Sequence, residues 1–255
     1  MPWRRLAMAL LSVLASGHSS PALVGPAREA PEWAPYVLMV MAPEAGEASF
    51  CTASVIAQDV ILTAAHCVAD ISGTRAFFRA DSGKLVFIDV AAIAMNPGFR
   101  PNAGRKRSLS IDLALLRLAA PLPDIFKPLQ ISTSAAVAAG QAFRLLGFGR
   151  ASEMRSGTSG ILRQGTVVAR GPKSPFLLWL VDPAGTGLGG CTGDSGGPVL
   201  ALDQPLLIAV AIRALGSGGY ACGAMTEAVL IAPQWPWLRQ TLQAWGITPG
   251  EISTH

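Results

Sequence analysis

Histidine is nearly missing from this chain: three occur in 255 residues, at His18, His66 and His255. His18 falls in a segment expected to be removed and His255 is the last residue, so His66 is the one histidine inside the folded body. Cysteine is scarce too, with four residues and no Cys-x-x-Cys, which argues against a structural zinc site. Charged residues make up only 14%. The formal charge of +4 includes Arg4 and Arg5; without them 18 basic residues face 16 acidic ones, or +2. That is too little to imply a nucleic-acid partner. No apolar stretch beyond residue 22 is long enough to cross a bilayer, so a mature chain without membrane contact is expected. No internal repeat or low-complexity tract occurs, and 51% hydrophobic residues exclude a disordered chain.

What is present begins with an export signal. Arg4 and Arg5 give a basic start, Leu6 to Ala15 an apolar run, and Ser20-Pro21-Ala22 small residues at the positions a signal peptidase inspects. A cut after Ala15 is the alternative. Export implies an oxidising compartment, where Cys51, Cys67, Cys191 and Cys222 read as two disulfides. Spacing alone leaves all three pairings open.

Short runs rich in Val, Ile, Leu and Phe recur between Gly, Pro, Asp and Ser, and 27 Gly with 19 Pro favour strands and turns over long helices. Strands are expected at Tyr36 to Met41, Val60 to Thr63, Lys84 to Ala91 and Leu113 to Leu118. Others are expected at Ala142 to Leu146, Ile161 to Val168, Phe176 to Val181, Val199 to Leu202, Leu206 to Ile212 and Ala228 to Ala232. The pattern is that of an all-β sandwich or barrel. One helix is expected from Gln234 to Trp245, with Trp235, Leu238, Leu242 and Trp245 on a core-facing stripe. The basic cluster Arg100, Arg105, Lys106 and Arg107 reads as a solvated loop.

Three local patterns carry chemistry. His66 ends a strand-like run in Thr63-Ala64-Ala65-His66-Cys67, where the cysteine can tether the neighbouring imidazole. Asp112 opens Asp112-Leu113-Ala114-Leu115-Leu116; a carboxylate at the edge of an apolar run needs a partner, and an imidazole N–H would hold one tautomer. Ser195 sits in Gly189-Gly190-Cys191-Thr192-Gly193-Asp194-Ser195-Gly196-Gly197-Pro198. A serine nucleophile needs backbone N–H groups aimed at the developing oxyanion, and glycine permits that backbone. The loose Gly-x-Ser-x-Gly pattern also fits an α/β-hydrolase esterase. That class orders its triad serine, acid, histidine, and its serine leads into a helix that Gly196-Gly197-Pro198 would start poorly.

Together these segments resemble the three motifs of chymotrypsin- and trypsin-like serine proteases, over nearly all of residues 23–255. The resemblance implies two six-stranded antiparallel β-barrels with a C-terminal helix. The expected division is a signal over 1–22, a first barrel over 23–120, a connection over 121–140, a second barrel over 141–233, and helix and tail over 234–255. It implies His66, Asp112 and Ser195 as triad, Gly193 and Ser195 as oxyanion hole, and the pairings Cys51–Cys67 and Cys191–Cys222. Leu146-Gly147-Phe148-Gly149 resembles the family's Gly-aromatic-Gly turn. Leu23-Val24-Gly25-Pro26 stands where the family's activated N-terminus lies, which implies a Leu23 amine paired with Asp194. An unstructured tail is the alternative there.

For substrate binding the resemblance implies Gly189, Gly190, Thr192, Ala214, Leu215, Gly216 and Ala228. Gly189 replaces the aspartate that selects Lys or Arg, so an apolar preference is expected. Ala214 lacks a hydroxyl the family offers to the triad aspartate, and Leu215 lacks an indole. Arg213 would select acidic residues if it entered the pocket; an ion pair or solvent is the alternative. The implied molecule is a secreted or periplasmic serine endopeptidase, monomeric, without cofactor or metal, acting on proteins or peptides and open to a protein inhibitor. A silent protease-fold binding protein is the other reading.

Overall fold

A computed structural model describes residues 23–44, 47–68, 71–101, 108–134 and 136–247. The expected signal segment and Arg105, Lys106 and Arg107 lie outside the described residues.

The described chain is mostly strand. β1 (Arg28–Glu29) comes first. Then come β2 (Val37–Glu44), β3 (Glu47–Ala57), β4 (Val60–Thr63), β5 (Arg75–Arg79), β6 (Leu85–Met95) and β7 (Ala114–Leu118). These six close into an antiparallel barrel in the order β2-β3-β4-β7-β6-β5. After β8 (Gln130–Ile131) follow β9 (Ala142–Gly147), β10 (Arg163–Pro172), β11 (Leu177–Val181), β12 (Pro198–Leu200), β13 (Leu206–Gly216) and β14 (Gly223–Leu230). They form a second antiparallel barrel, β10-β11-β14-β13-β12-β9, closed by β9 on β10. α1 (Trp235–Ala244) ends the described chain. Residues 23–29, counted with the first barrel in the sequence reading, instead pad the second: β1 pairs with β10 and Val24 bridges to Gly189.

Strand periodicity explains how the barrels join. On β4 and β7 the alternate residues Ile61, Ala114, Leu116 and Leu118 fill the first barrel. Leu62, Leu113 and Leu115 on their other face meet Leu146, Leu200 and Val210 of the second barrel in one cluster. Both faces are therefore buried, which is why these strands read as continuous apolar runs. Leu238 and Leu242 of α1 pack on the same cluster, with Trp235 and Trp245 against it, as the stripe implied. The sequence reading missed β3 and β5. Glu47–Ala57 mixes Ala and Ser among its β-branched residues, and Arg75–Arg79 has only three apolar residues between arginines, so neither stands out as a long apolar run.

Two disulfides, Cys51–Cys67 and Cys191–Cys222, brace one barrel each. No helix among the described residues is long and apolar enough to cross a membrane.

Because Leu115 is fully buried between the barrels, Leu115→Ala should destabilise the fold by about 3 kcal/mol. Ile125→Ser, at a site 58% exposed, should stay within about 0.5 kcal/mol. Urea midpoints with unchanged slopes check both.

Candidate active site

His66 lies in a tight 3-10 turn, Ala65–Cys67, directly after β4. Neighbouring Cys67 is anchored to Cys51 on β3, and its sulfur lies 3.7 Å from His66 Nε2. Asp112 immediately precedes the buried run that leads into β7, beside β4 in register. Its Oδ1 accepts the His66 backbone N–H at 2.9 Å and its Oδ2 meets the ring Nδ1 at 2.7 Å. Both carboxylate oxygens are thus spent on one residue. The contact suits the tautomer that carries its proton on Nδ1, on a ring whose side chain is 42% exposed. The hydroxyl that Ala214 lacks is not needed to orient Asp112.

Ser195 belongs to a turn of the second barrel that the first barrel grips. Thr52 N–H donates to the Ser195 carbonyl at 2.9 Å, and Thr52 Oγ1 donates to the Gly193 carbonyl at 2.9 Å. Thr63 Oγ1 donates to the Thr52 carbonyl at 2.8 Å. The approach is so close that a Cβ on Gly196 would stand 2.0 Å from the Thr52 oxygen and 2.1 Å from Thr63 Oγ1. Thr52 also lies next to Cys51, so one strand holds both the histidine turn and the serine turn. Ser195 Oγ itself lies 3.4 Å from the Ile212 carbonyl and forms no hydrogen bond to His66 here. Apo sites often hold such contacts long.

The amides of the serine turn divide into two kinds. Those of Asp194, Gly196 and Gly197 donate to Cys191, Ala211 and Asp194 carbonyls. Those of Gly193 and Ser195 have no acceptor among the described residues. Gly193 has φ +97°, a left-handed conformation that a side chain resists, and a Cβ there would stand 2.8 Å from Gly149 Cα.

Asp194 is 1% exposed. Its carboxylate accepts N–H groups from Gly149 and Cys191, both at 2.8 Å. Burial dominates and pushes its pKa up to about 7, against the pull of these amides and of the Arg163 guanidinium. Gly147 and Gly149 are glycines for a steric reason: a Cβ on either would strike the Asp194 carboxyl, at 2.0 and 2.5 Å. Leu23 is fully buried in the second-barrel core and holds φ +54°. Val24 and Gly189 exchange two backbone hydrogen bonds, at 3.1 and 3.2 Å.

The other expected pocket residues fall as follows. Gly189 and Gly190 lie against Gly223 and Thr226 of β14, and Ala214, Leu215 and Gly216 of β13 pair with Thr226, Met225 and Gly223. Thr192 is exposed at the rim. Ala228 has no exposed surface and packs in the second-barrel core beside Ala211. The residue that reaches the pocket glycines is Thr226, two positions earlier on the same strand face: its Oγ1 accepts the Gly190 N–H at 2.9 Å. Arg213 is ion-paired and not a free selector. Its Nη2 lies 2.9 Å from Glu227 Oε1, and Lys173 and Trp179 hold Oε2 at 3.0 and 2.8 Å. Burial raises the Glu227 pKa, but these donors outweigh it and hold the carboxyl below its usual value. The two groupings of metal-type ligands, around His66 and around Glu153, each include disulfide sulfurs with no thiolate to offer.

Thr52, Thr63 and Thr226 escaped the sequence reading, because no local motif marks a threonine that bridges residues over 140 positions apart, as Thr52 does to Gly193 with a separation of 141.

Comparison with known proteins agrees with this geometry. The sequence profile of the trypsin family, described as Trypsin, matches residues 23–233. "Trypsin beta" of Drosophila erecta is 29% identical over 191 residues, covering 68% of this chain and 69% of that one. Among solved structures, neuropsin, a serine protease of mouse brain, superposes with a TM-score of 0.69 at 19% identity, over 85% of this chain and 99% of that one. A scabies mite inactivated protease paralogue superposes with a TM-score of 0.67 at 18% identity, over 87% and 99%. The shared shape thus includes an inactivated relative, and at these identities it speaks for the fold alone. The profile spans both barrels and all three motif residues: the chain belongs to the trypsin family of serine proteases.

Proposed function

We propose that this chain is an active, secreted serine endopeptidase that cleaves after small apolar residues through an acyl-enzyme. The observation that carries the reading is the pair of unpartnered amides at Gly193 and Ser195, flanking a serine hydroxyl. Buried or crowded N–H groups without acceptors are rare, and two such amides one residue apart, on either side of Asp194, suit a developing oxyanion. His66 Nε2, its tautomer held by Asp112, takes the Ser195 proton as Oγ attacks the substrate carbonyl. The carbonyl oxygen becomes an oxyanion between the two amides. The imidazolium then gives its proton to the leaving amine, and water repeats the cycle on the acyl-enzyme.

Two further features support details of the reading. No carboxylate stands at Gly189 or Gly190, and Thr226 fills space across from Gly190, so the pocket suits a short apolar side chain and not Lys or Arg. Leu23 carries left-handed backbone, which costs a leucine about 1 kcal/mol. Removing residues 1–22 would free the Leu23 amine beside Val24, which pairs with Gly189, five residues before the buried Asp194. Signal cleavage and activation would then be one event, at Ala22–Leu23. A silent scaffold is the second reading; the Ser195 Oγ contact with Ile212 in place of His66 favours it.

A fluorophosphonate should label the parent and not Ser195→Ala, whose kcat on peptides should fall by about 10⁶-fold. An unlabelled parent with intact fold would establish the scaffold reading. In a peptide-library digest, cleavage should follow small apolar residues, and Thr226→Gly should raise kcat/KM for large apolar residues by at least about tenfold. N-terminal sequencing of the exported protein should begin at Leu23.

The pH dependence of stability separates the two N-termini. With Leu23 still joined to a preceding residue, Asp194 titrates at about 7, against about 3.9 unfolded. A raised folded pKa stabilises fully below the unfolded value and that contribution is lost as pH rises through the folded one. A chain with one extra residue before Leu23 should therefore lose stability, relative to its Asp194→Asn counterpart, from about pH 4 to pH 7. The chain starting at Leu23, whose amine holds Asp194 ionised, should not. Urea midpoints across that range decide it.

A further inference from the structure

The outer face of a half-buried strand ordinarily meets water and is polar. In the first barrel Leu38, Val40, Ala53, Val55, Ala76 and Phe78 fill the interior. Strand alternation therefore turns Met39, Phe50 and Phe77 outward. Phe77 stands opposite Met39 on one side and Phe87 of β6 on the other. The rings form a continuous row: Phe50 meets Phe77 edge-on at 6.5 Å, and Phe77 stacks on Phe87 at 5.4 Å. Exposure rises outward, from Phe77 at 8% to Phe87 at 40% and Leu85 at 44%. The inner end of the row touches the reaction centre, since Phe50 Cε2 stands 3.1 Å from where a Gly193 Cβ would be.

We propose that this aromatic row binds the part of the substrate that follows the scissile bond and selects apolar side chains there, as far as about the fourth residue. The inference rests on the endopeptidase reading above. The occupant follows from the chemistry of the site. The acyl half of the substrate fills the second-barrel pocket at Gly190 and Thr226. The leaving amine must face His66, which protonates it, so the downstream chain departs over the first barrel. His66 is tied through Cys67 to Cys51, and Phe50 is the next residue along. From there the two ring steps lead to Phe87, a path that about four extended residues at ~3.3 Å each would follow. The charge at the outer end is already matched: Arg75 lies 5.6 Å over the Phe87 ring and pairs with Asp89 at 2.8 Å, leaving apolar contact as what the row offers.

The test uses two peptides identical up to the second residue beyond the cleaved bond. One continues with Phe-Leu and the other with Ser-Ser. The parent should show a kcat/KM about tenfold higher for the apolar peptide, a difference an added aromatic contact supplies. Phe87→Ser, with Leu85→Ser as a second variant, should remove most of that ratio, while Ile125→Ser, at an exposed position between β7 and β8 that is no part of the row, should keep it. The same ranking should appear as affinity when the peptides are bound to Ser195→Ala and read by fluorescence anisotropy. That arm judges the row even if the parent hydrolyses nothing, an outcome that would sink the endopeptidase reading alone. Equal affinities for both peptides in the Phe87 and Phe87→Ser forms would overturn the proposal. So would a dimer in sedimentation velocity that Phe87→Ser dissolves, since the row would then serve a second copy of the chain.

Discussion

A carboxylate shut away from water organises the serine turn. Asp194 is almost wholly buried, and its two oxygens are met by the amides of Gly149 and Cys191. Desolvation is the largest influence on it and lifts its pKa to about 7. A buried acid in that state is sensitive to any cation brought near, and its side chain fixes where the backbone on either side of it runs. Beside it, the amides of Gly193 and Ser195 have no acceptor among the described residues. The glycines at 147 and 149 exist to let the carboxyl in. Val24, next to the strained Leu23 backbone, pairs with Gly189 just before the same turn.

The second dependence is the seam between the barrels. Ser195 and His66 lie in different barrels, so their relation is only as fixed as that seam. The apolar part of it, Leu62 and Leu115 against Leu146 and Val210, supplies adhesion without direction. Direction comes from Thr52 and Thr63, whose hydrogen bonds tie the carbonyls of Gly193, Ser195 and Thr52 into one stack. Hydrogen bonds across a dry seam penalise a small slip heavily, because each would leave a buried polar group unmet. A turn held this way is fixed at Gly193 and Ser195, while solvent is met at the far end of the Phe50 row, at Phe87.

The sequence reading succeeded where chemistry concentrates in a short window. Gly193-Asp194-Ser195-Gly196-Gly197-Pro198 announces a tight turn through its glycines, and β4, β7 and α1 announce themselves through buried periodicity. It faltered where Ala and Ser dilute a strand's apolar residues, as in β3, although that strand carries Phe50, Cys51 and Thr52 and so holds both the histidine turn and the serine turn. It expected Ala228 in the pocket, whereas Thr226 on the same strand face reaches Gly190 and Ala228 lies in the core. Arg213 resolved to an ion pair because Glu227 sits directly beside it on β14, a neighbour 14 positions away that spacing alone does not reveal.

By itself the sequence determined which groups are available: one interior imidazole, one acid before an apolar run, one serine among glycines, four cysteines, and alternating runs that make barrels. Those properties are local, encoded in neighbouring residues and in strand period. Tertiary structure alone decided which cysteines join, that Asp112 spends both oxygens on His66, that Thr52 clasps the serine turn, and that Asp194 loses its water. Each of these depends on distances between residues far apart in the chain, and such distances are set by how two sheets close and pack, a result of the whole core and of no single segment.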